Sequence, residues 1–176
     1  MDYKLKKSEI VFKGKMIGLK VDTIEYKNGN TGIREVAIHP GGACIVPVTS
    51  EGKIVLLTQF RYPVQKVTLE IPAGKLDNNE DPFVCAAREL EEETGYRSNN
   101  IIKLGEILTS PGFCTELLHL YIARDLIPGD HNREDGEEGM ELFELTFDEI
   151  DEKIKNGGLV DAKTICAIYM AKQLLQ

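Results

Sequence analysis

The segment DPFVCAARELEEETGY, residues 81–96, is punctuated at both ends. Asp81 before Pro82 is a helix-start signal: an N-cap side chain followed by a residue whose φ is already helical and whose missing N–H is no loss there. Gly95 is a stop signal, because glycine enters the left-handed cap conformation at little cost. The punctuation predicts a helix over Pro82–Thr94. Around it the apolar runs are of strand length and bounded by turn residues: ACIVPV (43–48), KIVLLTQF (53–60), VTLEI (67–71), IIKLGEIL (101–108) and LLHLYIA (117–123). A polar start and apolar residues at helical spacing predict one more packed helix over 161–175. The order strands, helix, strands, helix confines the chain to a mixed α/β architecture with antiparallel pairs.

Upstream, residues 9–38 alternate in short strand-like runs around the turn KNGN (27–30), where Asn28-Gly29 is a strong hairpin signal. This hairpin carries few core residues, so it is expected to pack on the main domain or on a second subunit. The chain has 176 residues, 42% hydrophobic and 28% charged, which suits one globular domain with a real core and excludes disorder. A net charge of −8 opposes binding to nucleic acid, so an anionic substrate would need metal cations or locally placed arginines. No apolar stretch is long enough to cross a bilayer, and MDYKLKKSEI at the N-terminus lacks the apolar segment of a secretory signal, so a cytoplasmic protein is expected. Cys44, Cys85, Cys114 and Cys166 lie far apart with no C-x-x-C pair, which predicts buried free thiols rather than a zinc or redox motif.

Within the helix, four glutamates stand in five residues, Glu89 and Glu91–Glu93. At about 100° per residue, Phe83, Ala86, Ala87, Leu90 and Thr94 share the face expected to meet a sheet, and Glu89 and Glu93 lie about 40° apart along its flank. Like charges at that spacing cost about 0.2–0.5 kcal/mol, and partial burial adds a desolvation penalty. A divalent cation removes both penalties, and hard oxygen ligands without cysteine or histidine suit Mg²⁺ or Mn²⁺. Arg88, four residues before Glu92, is placed to hold that carboxylate. Periodicity alone leaves two readings open, a metal cradle and a solvated charge run.

With its upstream loop the segment reads Gly74, five residues, Glu80, seven residues, Arg88-Glu89-Leu90, one residue, Glu92-Glu93, one residue, Gly95-Tyr96. This resembles the Nudix box, the signature of hydrolases that cleave nucleoside diphosphates linked to another moiety. The one departure is Tyr96, where a smaller aliphatic is commoner. QFRYPV (59–64), LEIPAGKL (69–76) and SPGFCTE (110–116) extend the resemblance to the ADP-ribose pyrophosphatase branch, distinguished by a proline sixteen residues beyond the last glycine of the box, where Pro111 stands.

The resemblance implies the Nudix fold, a mixed sheet between helices in an α/β/α sandwich, over residues 41–176. An N-terminal antiparallel strand extension over 1–40 is then expected to form a homodimer. It implies hydrolysis of the ADP-ribose diphosphate to AMP and ribose 5-phosphate with Mg²⁺, Mn²⁺ being the alternative. Other ADP-sugars or nucleotide sugars are the rival substrates, and a non-catalytic nucleotide-sensing domain is the rival class. Glu89, Glu92 and Glu93 are expected to hold the metal together with the Ala73 carbonyl, Glu93 acting in catalysis. Gly74 and Gly95 permit tight turns, and Glu80 and Arg88 organise loop and helix. Arg61 is expected to bind phosphate as a bidentate fork, with an ion pair as the other reading. Arg34 is expected to reach substrate across the dimer, and Glu70, Pro111 and Glu116 are expected to line the substrate site. The general base is assigned to the acidic loop 129–141, with Glu138 first and Glu137 second.

Two rival readings fail on the residues. Asp130, Asn132, Glu134 and Glu141 match calcium-loop offsets, but the required glycine is Asp135 and flanking helices are missing. Cys114 has no histidine in a recognisable partner motif, His39, His119 and His131 reading as loop, strand and loop residues, so thiol catalysis is rejected.

Overall fold

A computed structural model describes residues 2–77, 79–130 and 139–175. Glu137, Glu138 and His131 lie outside the described residues. Two compact units form: the chain up to Gly41 together with Leu108–Leu117, and Gly42–Ile107 together with the chain from Leu118 onward.

The first unit is an antiparallel meander of β1 (Tyr3–Lys13), β2 (Gly18–Tyr26) and β3 (Thr31–Ile38). The predicted turn joins β2 to β3, with Gly29 at φ 82° and Asn28 Oδ1 accepting from the Asn30 amide at 3.1 Å. Strand β1 begins earlier than its apolar residues suggest and is exposed along its whole length, including Leu5, Ile10, Val11 and Phe12. Residues 108–117 join this unit because the Ala37 amide donates to Phe113 O at 2.7 Å and the Thr115 amide to Ala37 O at 3.0 Å.

In the second unit a four-stranded sheet has the order β7 (Ala73–Lys75), β4 (Gly42–Pro47), β10 (Leu117–Arg124), β9 (Asn100–Leu108), with β4 and β10 parallel and β4 and β7 antiparallel. A second sheet sets β5 (Ile54–Arg61) between β6 (Lys66–Glu70) and β12 (Leu142–Leu145), and a small pair joins β8 (Tyr96–Arg97) to β11 (Ile127–Pro128). The helices are α1 (Pro82–Thr94), α2 (Phe147–Lys155) and α3 (Ala162–Leu175).

Strand β4 is buried on both faces, as a central strand must be. Cys44 and Val46 pack with Ile150 of α2 and Ala167, Ile168 and Ala171 of α3, whereas Ala43 and Ile45 pack with Cys85, Ala86 and Leu90 of α1. Helices therefore cover both faces of this sheet, the expected α/β/α layering. Helix α2 was absent from the expectation although its start carries a capping box: Thr146 Oγ1 accepts from the Glu149 amide at 3.2 Å and Glu149 Oε2 from the Thr146 amide at 2.8 Å.

Two expectations need correction. Helix α1 buries Cys85, Ala86, Glu89, Leu90, Glu93 and Thr94, so it is rotated about its axis and Phe83 is left exposed, meeting the Tyr121 ring edge-on at 6.1 Å. The rotation turns two glutamates inward. Of the four thiols, all free, Cys44 and Cys85 are buried but Cys166 is exposed, because it falls on the outer side of α3.

Candidate active site

Asp81 caps α1 through a 2.8 Å bond from the Phe83 amide, and Gly95 closes it in the left-handed region at φ 76°. These caps fix which glutamates look at β7. Glu89 and Glu93 are 8% and 1% exposed. Glu93 Oε2 accepts from the Ala73 amide at 3.0 Å, tying the helix to the strand that carries the expected carbonyl ligand. Opposite Glu89 stands Gly74, where any side chain would collide: a Cβ there would lie 1.6 Å from Glu89 Oε1. Gly74 is thus required by close approach, not by an unusual φ.

Arg88 organises the remaining carboxylates. Its Nη1 donates to Glu89 Oε1 at 2.7 Å and to Glu92 Oε2 at 2.8 Å, while Nε and Nη2 reach Glu80 at 3.0 and 3.1 Å. The paired Glu80 is the main reason the Arg88 pKa is raised above its ordinary range, and Arg88 in turn lowers that of Glu80. Glu80 Oε2 also accepts from the Asp77 amide at 3.1 Å and so ties the loop to the helix. Beneath them the Cys85 thiol is pushed up to about 12, first by burial, which makes it inert as a nucleophile.

Glu70 ends β6 almost fully buried, at 1% exposure. Arg61 forks onto it through Nε to Oε1 at 2.8 Å and Nη2 to Oε2 at 2.6 Å. The ion-pair reading of Arg61 therefore describes this structure, with the fork that would take phosphate resting on a carboxylate. Burial pulls the Glu70 carboxyl upward, but the Arg61 fork and the Lys163 ammonium outweigh it and leave it at about 2. Lys163, in the first turn of α3, was not expected. It bonds Glu70 Oε2 and, at 3.0 Å, Asp161 Oδ2. The signal available was weak: a lysine just inside a helix start, where cations are disfavoured unless paired.

Arg34, Pro111 and Glu116 belong to the first unit. Arg34 bonds the Tyr26 hydroxyl and Ile33 O, and Glu116 accepts from Thr109 Oγ1 at 2.7 Å with His39 Nδ1 3.4 Å away. Tyr96, the departure from the box, is half-buried with its hydroxyl 3.5 Å from Glu144. It borders a separate cleft of about 770 Å³ that shares no lining residue with the carboxylate group.

Among the described residues no three His, Cys, Asp or Glu side chains already converge as a metal-binding set, because Arg88 draws Glu89 and Glu92 to itself. The donor chemistry nevertheless fits a hard divalent cation. Glu89 and Glu93 are inward-facing oxygens beside a backbone held clear of side-chain atoms by Gly74, and burial raises the pKa of the Cys85 thiol on the same helix.

The chain resembles a methanol dehydrogenase activator of Bacillus methanolicus, 44% identical over 92% of this chain and 88% of that protein. It also resembles an ADP-ribose pyrophosphatase of Bacillus subtilis (strain 168), 41% identical over 96% and 92%. A GDP-mannose pyrophosphatase of Cronobacter sakazakii is 40% identical over 75% and 73%. The fold matches a crystal structure of an ADP compounds hydrolase with a TM-score of 0.88, at 19% identity over 99% of this chain and 95% of that one. Residues 38–167 match the model of the NUDIX domain, and the carboxylate helix lies inside that span: the chain belongs to the NUDIX family.

Proposed function

We propose that the protein hydrolyses the diphosphate of ADP-ribose to AMP and ribose 5-phosphate in the presence of Mg²⁺, Mn²⁺ serving in its place. One observation carries the reading: two glutamates of α1 turn inward against a strand whose Gly74 leaves room for them. A pyrophosphate resists hydroxide because its own oxygens repel it, and divalent metal supplies charge screening and an acidified water. Glu89, Glu92, Glu93 and the Ala73 carbonyl are the proposed ligands. Arg61 is assigned to the diphosphate, and Glu138, then Glu137, to the general base. The substrate roles of Arg34, Glu70, Pro111 and Glu116 rest on the family resemblance. The substrate assignment is supported by the 41% identical pyrophosphatase, and the 40% identical GDP-mannose enzyme favours a broader nucleotide-sugar range. A protein named an activator at 44% identity favours a second reading, a regulatory nucleotide-sensing domain.

The protein is further proposed to be a cytoplasmic homodimer. Free thiols support the compartment, and the exposed Leu5, Ile10, Val11 and Phe12 support a second copy as partner of the extension. Light scattering on the purified protein reads the dimer. AMP release from ADP-ribose, other ADP-sugars and GDP-sugars, with and without Mg²⁺, tests the function. A wild-type protein that releases nucleotide from none of them removes the hydrolase reading and leaves the sensing one. Glu93→Gln is expected to cost at least about 100-fold in turnover.

A further inference from the structure

Arg61 is assigned above to the substrate diphosphate, yet its fork is engaged. Both hydrogen bonds go to Glu70, a carboxylate that is 1% exposed. If Arg61 were Glu70's only cation, moving it to a substrate would strand a buried charge, and stranded buried charges are strongly unfavourable. The arginine would then be a fixed structural ion pair and useless for binding. Glu70 is not in that position. Its Oε2 also takes the Lys163 ammonium, and its Oε1 accepts from Thr68 Oγ1 at 2.5 Å. Lys163 is well fixed: its side chain is 12% exposed against 39% for Arg61, and Asp161 Oδ2 holds it from the other side at 3.0 Å. One cation is enclosed and the other faces outward.

The outward one also stands at the end of its strand. Arg61 ends β5, just before a single 3-10 turn, Tyr62–Val64, whose cap residue Gln65 sits at φ 52°. Lys163 lies in the first turn of α3, and its neighbour Thr164, fully buried, accepts from the Ile71 amide at 3.0 Å. That bond locks the helix start onto the residue after Glu70. Lys163 and Glu70 are therefore tied together through the helix start, whereas among the described residues the Arg61 fork bonds Glu70.

We infer that Lys163 is a positioning residue that keeps Glu70 neutralised when Arg61 leaves it, so that the Arg61 fork is released to the substrate diphosphate. This inference rests on the hydrolase reading for the identity of the ligand, but it concerns binding and not turnover. No covalent bond is made or broken in the exchange. Arg61 trades one pair of carboxylate oxygens for a pair of phosphate oxygens, a geometry that its planar fork fits equally well.

The test is a double-mutant cycle read by calorimetry, titrating ADP-ribose into the protein in EDTA so that no turnover occurs. Lys163→Met is expected to weaken binding about tenfold or more, because Arg61 becomes fixed on Glu70. Arg61→Gln is expected to weaken it to a similar degree. Lys163→Met with Arg61→Gln is expected to be no weaker than Arg61→Gln alone, since Lys163 acts only through Arg61. Lys163→Met with Glu70→Gln removes the buried charge that would trap Arg61 and is expected to rescue binding to within about threefold of Glu70→Gln alone. Lys163→Arg, which keeps a cation on Glu70, is expected to stay near wild type. Circular dichroism and a melting curve for each variant show that it folds.

Additive losses from Lys163→Met and Arg61→Gln would mean that Lys163 touches substrate itself and would overturn the inference. So would a Lys163→Met protein with wild-type Kd, failure of Glu70→Gln to rescue it, or no binding to the wild type. The turnover assay is separate. A wild-type protein that binds ADP-ribose, shows this coupling and releases no AMP would sink the hydrolase reading and leave the release of Arg61 standing.

Discussion

One methyl group added at Gly74 is expected to silence turnover while leaving most of the fold in place. On the existing backbone, the Cβ of Gly74→Ala would stand 1.6 Å from Glu89 Oε1, 2.1 Å from its Cδ and 2.9 Å from its Cγ. Comfortable contact begins near 3.5 Å, so the carboxylate has to retreat by about 2 Å. A surface glutamate would swing away freely. Glu89 is 8% exposed and bonded to Arg88 Nη1 at 2.7 Å, so its retreat breaks that bond and carries the carboxylate away from β7. A misplacement of about 1 Å in a reacting site already costs about 100-fold, so Gly74→Ala should lose at least that in kcat/KM.

The stability cost is smaller, because the clash is with a side-chain end and not with backbone. Overpacking of this kind costs about 1–3 kcal/mol, which lowers Tm by about 3–10 °C in a domain of this size. Nucleotide release and differential scanning fluorimetry read the two effects separately. Adding Glu89→Ala removes the clash, so the double variant should regain most of the lost Tm and none of the activity. Gly74→Ala with turnover within about threefold of wild type would refute the reasoning, since the site would then tolerate a displaced Glu89.

Other expected outcomes follow from single contacts. Glu70 has a folded-state pKa of about 2 against an ordinary 4.5, so its contribution, about 3 kcal/mol, is complete above about pH 4.5 and is lost as pH falls through about 2. Acid titration by circular dichroism should show Glu70→Gln with a shallower loss of stability over that window, and an unchanged slope would argue against the buried triad. Thr146→Ala removes the capping box of α2 and should cost about 1 kcal/mol, a Tm drop of about 2–4 °C, without changing turnover. Glu138→Gln is expected to lower kcat by at least about 100-fold with little effect on KM, and full activity would move the base elsewhere. Chelation with EDTA should abolish turnover yet leave Tm within a few degrees, whereas saturating Mg²⁺ should raise Tm with concentration, as mass action requires.

Some of this architecture was legible because it is written in local chemistry. Asp81-Pro82 and Gly95 bound α1 through caps that need no tertiary context, and Asn28-Gly29 marked its hairpin for the same reason. The rotation of α1 was not local. Apolar residues alone placed Phe83 on the buried face, but buried Glu89 and Glu93 take part of that face, and no hydropathy pattern assigns carboxylates to an interior. Strand β1 was shortened for the converse reason: its first residues are exposed and polar, and only pairing with β2, Tyr3 opposite Tyr26, makes them a strand. Helix α2 differs again, since its capping box of Thr146 and Glu149 is a local signal but its nine residues bury only Ile150, too little apolar surface to stand out as a helical stripe. Lys163 meets Glu70 across 93 residues of chain, a separation over which neither periodicity nor motif spacing gives information.

The crowding of glutamates on α1 also has a more specific physical resolution than metal alone. Left to themselves, Glu89 and Glu93 would repel each other and resist burial. In this structure their charges are met separately. Glu89 shares the Arg88 guanidinium with Glu92 and Glu80, and Glu93 accepts the Ala73 amide. Repulsion is therefore offset in part by protein groups. That division matters for function. A site whose folding required its metal would be empty only when unfolded, whereas carboxylates seated by Arg88 and Ala73 are already oriented before any cation arrives. A divalent ion bound as proposed would displace one guanidinium contact from Glu89, which costs less than ordering three loose side chains, each carrying its own rotamer entropy. Arg88 is thus the organising cation of the box, and its invariable positive charge, reinforced by Glu80, suits it to that position.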